Sequence, residues 1–450
     1  MHIQKLQIEH LRSFENAEIE LNLPGGNDIS LPNVNVLLGD NGLGKTGVLR
    51  ALALSALGPL LSGPSGYIPK SLIRRRPSHV DPDKRPLIDL RKPFASAHII
   101  STREDIPADN DANDFPESFL LKTEVRPLGS AETLKWSTSP RSIRDRVENL
   151  QFDETSAAFF VVGYGATRRV EASERVDSNA RKNRNIRYER VASLFEDHVT
   201  LVPLSHSLPI IYKKSRSRYK EVITLINLLL PSSCKLLRCI NGDEDQFDMF
   251  EMNDISLSFR DLSDGFRAHI GWIADMLFHA TQALADETPL REFRGVAMVD
   301  EIDLHLHPEW QRTVVPTLAA ALPNIQFIFT THSPLVVASL SSHNLFVLGQ
   351  REGSSIIRRL PEPVQGKSSE QILLSPYFGL ESTRSTEFSS RLDDLAYRAA
   401  SGDQEASLDY LKAMAEGFSA LKQTRTAEEH GRAKVKTSAI KKAVKATKGQ

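Results

Sequence analysis

Residues 39–46 read GDNGLGKT and match the pattern G-x-x-x-x-G-K-[ST], in which a glycine-rich backbone curls around phosphate groups. The residues before this loop, 34–38 (VNVLL), are typical of a short buried strand. The residues after it, 46–57 (TGVLRALALSAL), are typical of a helix that is apolar on most sides. A phosphate-binding loop needs this context, because the helix N-terminus adds its positive dipole end. We therefore expect a nucleotide to bind here.

Each polar group of the loop has an expected task. The Lys45 ammonium would reach the β- and γ-phosphates, and the Thr46 hydroxyl would hold Mg²⁺. Backbone N–H groups would bind the phosphate oxygens. These groups belong to the following loop residues: Gly39, Asn41, Gly42 and Gly44. The predicted ligands are thus ATP and Mg²⁺.

The composition is that of an ordinary globular protein. Of 450 residues, 40% are hydrophobic and 25% are charged, and a net charge of −1 gives no global attraction to nucleic acid or membrane. Cys234 and Cys239 have no neighbouring Cys or His partners, which argues against a disulfide or a metal site and favours a reducing compartment. The chain contains neither an apolar signal segment nor an apolar run of about 18 residues. We expect a cytoplasmic protein without a membrane span.

Hydrophobic patterns predict where the sheets lie. Residues 1–22 alternate between apolar and polar, as in two strands of a half-buried antiparallel sheet. Residues 62–150 are rich in Pro, Ser and Arg and contain only short strand-like pieces, which indicates an insertion on a core. A buried strand is expected at 157–162 (AAFFVV). Residues 291–360 alternate strands and helices, as a parallel sheet requires.

Three charge-rich stretches each leave two interpretations open. The segment 168–190 interleaves arginines with glutamates, and is either a solvated or mobile surface or an anion-binding element. The run 212–220 (YKKSRSRYK) is either a contact for a nucleic-acid backbone or a solubilising hinge between helices. The lysine-rich end, 432–450, is either a flexible tail or a weak nucleic-acid contact.

The second half of a nucleotide site is predicted at 294–303 (RGVAMVDEID), a short apolar strand that ends in paired acids. Asp300 would organise the Mg²⁺ shell, and Glu301 would polarise the attacking water. The next strand, 325–331 (IQFIFTT), runs into His332, which can donate to the γ-phosphate or to the water. We predict Glu301 and His332 as the catalytic residues.

Residues 262–267 (LSDGFR) open a further helix. Ser263 can simply cap this helix. Alternatively, the Ser263 hydroxyl and the Gly265 N–H can bind a phosphate together with the helix N-terminus. Nearby, His305 and His307 lie two residues apart and so do not share one helical face, which argues against a metal site there.

The phosphate loop, the Leu-Ser-x-Gly helix start, the Asp300-Glu301 strand and His332 occur in an order that resembles the ABC-type ATPase heads of the SMC, RecF and OLD group. The fold class that this resemblance implies is α/β: an ABC-type P-loop ATPase head. Such a head has a mixed central sheet flanked by helices and N-terminal antiparallel strands. An insertion and a helical C-terminal region are added to it here.

The expected division places the ATPase head at 1–365 and a helical C-terminal region with a basic tail at 366–450. Within the head, the insertion spans about 62–150, and a charged helical segment spans about 168–230. The C-terminal region lacks the clustered ligands that a metal-dependent nuclease needs, so we do not expect an OLD-type nuclease.

In the group that the chain resembles, two heads sandwich two ATP molecules, and the signature helix of one head touches the γ-phosphate held by the other. The resemblance thus implies that Ser263 and Gly265 act in trans. Three departures point to slow or partner-dependent hydrolysis. Asp264 and Phe266 replace a glycine and a polar residue, no glutamine follows the AAFFVV strand, and His307 falls near the position of an aspartate.

Residues 368–373 (SSEQIL) and 377–380 (YFGL) resemble the tail of ATPases in two-gene phage-defence systems, namely the Septu ATPase PtuA and retron-associated ATPases. The resemblance implies a homodimer or higher homo-oligomer that restrains a separately encoded nuclease of the HNH type. Two alternatives remain open. One is a DNA repair ATPase of the RecF or SMC type that acts directly on DNA, and the other is an assembly whose ATP is structural.

Overall fold

The fold is that of a computed structural model. It describes residues 1–26, 29–76, 87–88, 92–106, 115–129, 131–154, 156–170, 185–239, 242, 246–284 and 288–414. The chain divides into two compact units, Met1–Gly379 and Leu380–Gln450. Among the described residues, we find no helix whose length and hydropathy would let it span a membrane.

The β-strands are numbered in chain order. They are β1 (His2–Leu11), β2 (Phe14–Glu20), β3 (Val34–Leu38), β4 (Arg75–Arg76), β5 (Leu87–Ile88), β6 (Phe94–Ile100), β7 (Ser118–Leu128), β8 (Ala131–Ser139), β9 (Val161–Tyr164), β10 (Arg169–Val170), β11 (Thr200–Leu201), β12 (Cys234–Leu236), β13 (Met249–Met252), β14 (Ile255–Ser258), β15 (Gly295–Val299), β16 (Ile325–Thr330), β17 (Leu345–Arg351) and β18 (Ser354–Arg358).

The α-helices are numbered in the same way. They are α1 (Lys45–Ala56), α2 (Gly58–Ser62), α3 (Arg144–Phe152), α4 (Ile186–Ala192), α5 (Leu204–Lys214), α6 (Arg216–Leu229), α7 (Asp264–Ala283), α8 (Pro308–Gln311), α9 (Val314–Ala321), α10 (Pro334–Ala338), α11 (Ser369–Leu373) and α12 (Thr386–Ala400).

The central sheet has the strand order β18-β17-β3-β16-β15-β9. Neighbouring strands from β17 to β9 are parallel, and β18 returns antiparallel to β17. In the register, Leu37 lies opposite Thr330, and Val299 lies opposite Phe329 on one side and Tyr164 on the other. Because these strands point the same way, the residues that follow β3, β9, β15 and β16 meet at one edge, where ligands bind in open α/β sheets.

Side chains of β3 alternate between two hydrophobic clusters. Val36 and Leu38 belong to one cluster, whereas Leu37 belongs to the other, together with α1. Helix α1 contacts the central strands β9 and β16 as well as β1, β6 and β7 of a second sheet. A helix that is enclosed between two sheets has little surface left for solvent, which explains why the sequence of α1 is apolar on most sides.

The second sheet is antiparallel and has the order β2-β1-β6-β7-β8. The two N-terminal strands agree with the expectation. Within 62–150, the strand-like pieces expected at 97–100 and 119–125 lie inside β6 and β7. The expectation that the strands there are short is wrong, because β7 has 11 residues and β8 has 9. Polar residues on the buried face hide the alternation. Thr123, for example, faces α1, and its hydroxyl donates to the Leu54 carbonyl at 2.7 Å.

The strand expected at 157–162 lies further along the chain, since β9 spans Val161–Tyr164. Phe159 is buried, but it has a φ of 54° and therefore interrupts an extended backbone. A buried arginine, Arg187, donates to the Phe159 carbonyl at 3.1 Å. An apolar run shows that residues are buried, but it does not distinguish a strand from a buried turn. The run AAFFVV therefore predicted a strand that begins too early in the chain.

The helices also differ from the sequence pattern in places. The spacing of Trp310, Val314 and Leu318 predicts one helix from Pro308, but α8 and α9 are separate. Thr313 N–H donates to the Trp310 carbonyl three residues earlier, which makes a tighter turn between them. The basic run 212–220 joins α5 to α6, where the Ser215 hydroxyl accepts from Arg218 N–H at 3.3 Å. The run therefore spans the junction between two helices, and both of its interpretations stay predictions.

The second unit contains α12, and residues 404–414 are also helical. The spacing of Leu408, Leu411, Met414 and Phe418 predicts one apolar face on this last helix, and Leu408 and Leu411 are 58% and 64% exposed. Phe418, which the pattern placed on the same face, lies outside the described residues. The same holds for 171–184 of the charged segment and for the lysine-rich end 432–450.

Candidate nucleotide-binding site

Three glycines shape the loop between β3 and α1. Gly39, Gly42 and Gly44 have φ values of 142°, 85° and 96°, which residues with a Cβ rarely adopt. At Gly44, a Cβ would also collide with the Ser13 hydroxyl and the Phe14 ring. The loop therefore needs glycine at this position, and α1 begins directly after it.

The Lys45 ammonium lies against the loop backbone. Its Nζ donates to the carbonyl oxygens of Gly39 at 2.7 Å and Asp40 at 3.2 Å. Burial lowers the pKa of Lys45, and the carboxylates of Asp300 and Glu301 act in the opposite direction. These acids thus favour the charged form of the lysine, and a positive charge at this position suits a polyphosphate.

Asp300 is the buried acid at the end of β15. The Thr46 hydroxyl donates to its Oδ2 at 2.6 Å, and the Thr330 hydroxyl donates to its Oδ1 at 2.5 Å. The Asp300 N–H donates to the Tyr164 carbonyl at 2.8 Å. One carboxylate oxygen and the Thr46 hydroxyl thus lie side by side, and oxygen ligands of this kind suit Mg²⁺.

Glu301 follows in a left-handed backbone conformation, with a φ of 48°. Its N–H donates to the Thr330 hydroxyl at 2.7 Å, and its carbonyl accepts from Arg168 Nη2 at 2.8 Å. The N–H and the carbonyl of Glu301 are therefore both hydrogen-bonded. These two bonds fix the backbone from which the Glu301 carboxylate extends.

A cavity of about 380 Å³ lies over the loop and the two acids. It is lined by Arg12, Ser13, Asn41, Gly42, Gly44, Lys45, Thr46, Gly47, Ser71, Asp300 and Glu301. The structure thus brings together the predicted loop residues and both predicted acids, although about 250 residues of sequence separate them. Gly39 does not line the cavity, but its carbonyl accepts a hydrogen bond from Lys45, which does.

The remaining predicted residues do not line this cavity. Ser263 is exposed and caps α7 without a side-chain hydrogen bond to the helix. Gly265 packs so closely on the backbone that an added Cβ would lie 2.5 Å from the His305 carbonyl oxygen. His332 follows β16 and is half-buried, and its Nε2 has no partner among the described residues.

Sequence reasoning assigned no role at the site to Thr330, Arg12 or Arg168. Thr330 ends β16 beside Asp300, and its hydroxyl serves both predicted acids. Arg12 belongs to a tight turn after β1, where its φ is 49°. A signal did exist for Thr330, since a hydroxyl at the C-terminal end of a parallel strand lies at the edge where ligands bind. The same signal does not apply to Arg12, because β1 belongs to the antiparallel sheet.

The strand order, the phosphate loop and the acids at the end of the neighbouring strand define an ABC-type P-loop ATPase domain of the α/β class. Comparison with protein families matches residues 34–338 to the family described as "AAA domain, putative AbiEii toxin, Type IV TA system". The chain belongs to this AAA-family ATPase group.

Individual relatives agree with the family. The chain is 25% identical over 388 residues to Septu protein PtuA of Bacillus mycoides (strain KBAB4), an alignment that covers 85% of this chain and 45% of the relative. It is 33% identical over 189 residues to the Retron Ec83 probable ATPase of Escherichia coli, covering 41% of this chain and 33% of the relative. The chain spans less than half the length of these curated relatives.

Among solved structures, an SMC head bound to the C-terminal winged-helix domain of ScpA aligns with a TM-score of 0.49 and 15% identity. This alignment covers 80% of the present chain and 98% of the SMC head.

Proposed function

We propose that this chain binds Mg²⁺ and ATP in the cavity over the phosphate loop and hydrolyses ATP slowly. The observation that carries this proposal is the cluster of Lys45, Thr46, Asp300 and Glu301 around one cavity. A cation from the loop, a hydroxyl–carboxylate pair and a second carboxylate are the groups that phosphoryl transfer to water requires.

Thr46 and Asp300 are the residues that would hold Mg²⁺, because they offer adjacent oxygen atoms. When bound, the ion neutralises charge on the phosphates. Glu301 orients and polarises the attacking water, and Lys45 binds the β- and γ-phosphates. His332 would donate a hydrogen bond to the γ-phosphate or the water, since its Nε2 is free of other bonds in the described structure.

ATP binding is tested with the purified protein and Lys45→Ala. Lys45 supplies the full positive charge of the loop, so its loss should abolish measurable ATP binding by calorimetry. Lys70→Ala, at an exposed position outside the cavity, should bind as the wild type does. Equal ATP affinity for Lys45→Ala and the wild type would contradict this assignment.

The second part of the proposal is that ATP pairs two copies. Ser263 and Gly265 lie at the start of α7 and outside the cavity of their own chain. The N-terminus of a long helix with an exposed hydroxyl beside it suits a phosphate that another copy presents. Two heads, or a higher oligomer built from such pairs, would then enclose the nucleotides.

The third part concerns a partner. We propose that the assembly restrains a separately encoded nuclease of the HNH type in antiphage defence. The supporting observation is the alignment with the Septu and retron proteins, which in the first case spans most of this chain. If the proposal holds, the chain co-purifies with the nuclease encoded beside it. The chain alone leaves DNA and RNA intact with Mg²⁺ or Mn²⁺, and cleavage by the isolated chain would contradict the proposal.

We propose a nucleic-acid contact for the junction between α5 and α6. Lys213, Lys214, Arg216 and Lys220 are all exposed there. Such residues contribute salt-dependent binding to phosphate backbones. Replacing all four with serine should weaken DNA or RNA binding and flatten its salt dependence in a filter-binding assay. Binding that is unchanged in affinity and salt slope would remove this contact from the proposal.

A further inference from the structure

Arg168 lies beside the acids of the nucleotide site, although it follows a different strand. β9 pairs with β15 so that Tyr164 lies opposite Val299, and the Tyr164 carbonyl accepts from Asp300 N–H at 2.8 Å. Beyond Tyr164, the chain carries Arg168 to the Glu301 carbonyl, which accepts from Nη2 at 2.8 Å. The Arg168 side chain thus lies at the same edge of the central sheet as the acids. Arg168 is only 7% exposed.

Arg168 makes fewer hydrogen bonds than Arg187, another buried arginine. Arg187 is 1% exposed. Its Nη1 and Nη2 donate to four backbone carbonyls, those of Asp153, Ser156, Ala158 and Phe159. Arg168 makes one such bond, and its Nε and Nη1 are buried without a partner among the described residues.

Arg168 nevertheless stays charged. Burial lowers the pKa of its guanidinium to about 10, while the carboxylates of Asp300, Glu301 and Asp303 act in the opposite direction. A cation with a pKa near 10 is protonated at neutral pH. Burying a charge with unused donors is unfavourable for folding. Because its Nη2 binds the Glu301 carbonyl, the position of Arg168 points to a task at the acids.

The backbone conformation of Glu301 indicates what this task is. A glutamate with a φ of 48° is in a conformation that persists only where surrounding contacts impose it. Two contacts do so, because Thr330 binds the Glu301 N–H and Arg168 binds the Glu301 carbonyl. Without the guanidinium, the carbonyl would lose its partner, and the backbone could relax toward a more common conformation.

We propose that Arg168 is a positioning residue for ATP hydrolysis, which holds the Glu301 backbone so that its carboxylate points to the attacking water. This inference rests on the proposed role of Glu301. It assigns a function to the loop after β9, where the sequence lacks the expected glutamine. Since Arg168 does not line the cavity over the phosphate loop, its loss should affect turnover and spare ATP binding.

The test compares Arg168→Gln and Arg168→Lys with Arg169→Gln, a neighbouring exposed arginine that serves as the matched control. We expect Arg168→Gln to lower kcat by about 100-fold, the size of effect that follows misplacement of a reacting group. Its Kd for ATP should stay within about 2-fold of the wild type, as separately measured by calorimetry. Arg168→Lys should retain intermediate turnover, because its ammonium keeps the positive charge and N–H donors but lacks the planar shape of the guanidinium. Arg169→Gln should match the wild type.

A rescue experiment separates positioning from simple destabilisation. In Arg168→Ala, added guanidinium ion at a non-denaturing concentration should raise kcat, because the free ion can occupy the vacated space beside the Glu301 carbonyl. Unchanged kcat in Arg168→Gln, or a parallel loss of ATP binding, would overturn the inference while leaving the proposed ATPase intact. A folded wild type without any turnover would overturn both. If Arg168→Gln does not fold, the turnover and ATP affinity of Arg168→Lys decide.

Discussion

At the residue scale, the site depends on hydroxyl groups as much as on charges. Thr46 and Thr330 each donate to one oxygen of Asp300, so both oxygens of that carboxylate are directed before a ligand arrives. Thr330 also accepts from Glu301 N–H. Groups held in place in this way need little rearrangement during a reaction, which is the source of catalytic efficiency in preorganised sites.

Glu301→Gln should separate binding from turnover. The amide cannot take a proton from water, so we expect kcat to fall by about 100-fold or more. ATP binding should persist, because the loop is unchanged. If ATP pairs two copies, the variant should accumulate as the ATP-bound pair in light scattering. Wild-type turnover by Glu301→Gln would exclude Glu301 as the base.

His269 predicts how stability depends on pH. It is buried between Trp272 and Trp310, and burial lowers its pKa from 6.5 to about 3. Between these values, the unfolded chain binds a proton at this residue and the folded chain does not, so stability falls as the pH is lowered from 6.5 toward 3. Between pH 7 and pH 5, this one residue should remove about 2 kcal/mol of unfolding free energy.

The measurement is denaturant unfolding at both pH values, with His269→Phe beside the wild type. The phenylalanine keeps an aromatic ring between the tryptophans and does not titrate, so its stability should fall less between pH 7 and pH 5. His206→Gln, at an exposed position, serves as the control and should follow the wild type. An identical pH dependence for His269→Phe and the wild type would show that His269 is not the titrating group.

At the element scale, the proposed phosphate-binding groups lie at the N-termini of two helices. α1 begins in the phosphate loop, and α7 begins at the Leu-Ser-x-Gly stretch. Helix α7 is also tied to the central sheet, since the Tyr164 hydroxyl donates to Asp275 in α7 at 2.8 Å. The same tyrosine accepts from Asp300 N–H through its carbonyl. One residue of β9 thus connects α7 to the acid of the nucleotide site.

Gly265→Ala tests the start of α7. The new Cβ would lie 2.5 Å from the His305 carbonyl oxygen, so the first turn must move away, at a cost of about 1–3 kcal/mol in stability. ATP binding to a single chain should be unaffected, whereas ATP-dependent pairing should be lost in light scattering. Gly349→Ala is the control, because its added Cβ would lie 3.8 Å from the nearest atom. Pairing that survives in Gly265→Ala would exclude this helix start from the contact.

At the scale of the whole molecule, the nucleotide site belongs to the unit Met1–Gly379. Both hydrophobic clusters and all residues that line the cavity lie within it. α11 is part of this unit too, with Ile372 and Tyr377 buried in one of the clusters. We propose that this unit is the ATPase head and that the helices of the second unit form a separate C-terminal region.

A chain that ends at Gly379 should therefore fold and bind ATP. We expect a single cooperative thermal transition and a Kd for ATP within about 3-fold of that of the full chain, because no residue of the cavity is removed. A chain that ends at Gln365, before α11, should be less stable, since it loses the buried Ile372 and Tyr377. Failure of the Gly379 variant to bind ATP would show that the second unit contributes to the site.

From the sequence alone, site residues could be predicted only within single contiguous stretches. The phosphate loop from Gly39 to Thr46 could be identified because a strand, a glycine turn and a helix start must follow each other within a few residues. The paired acids at the end of β15 could be identified for the same reason. Glycine was the decisive signal, since the φ values at Gly39, Gly42 and Gly44 are ones that few other residues adopt.

Only the tertiary structure decided which distant residues join these stretches. Arg168 and Thr330 reach Glu301 because β9 and β16 are the neighbours of β15 in the sheet. Likewise, the full length of β7 is recognisable only through its pairing with β6 and β8 and its burial against α1. The physical reason is that periodicity reports the burial of each residue along its own segment, whereas strand order results from the packing of the whole core.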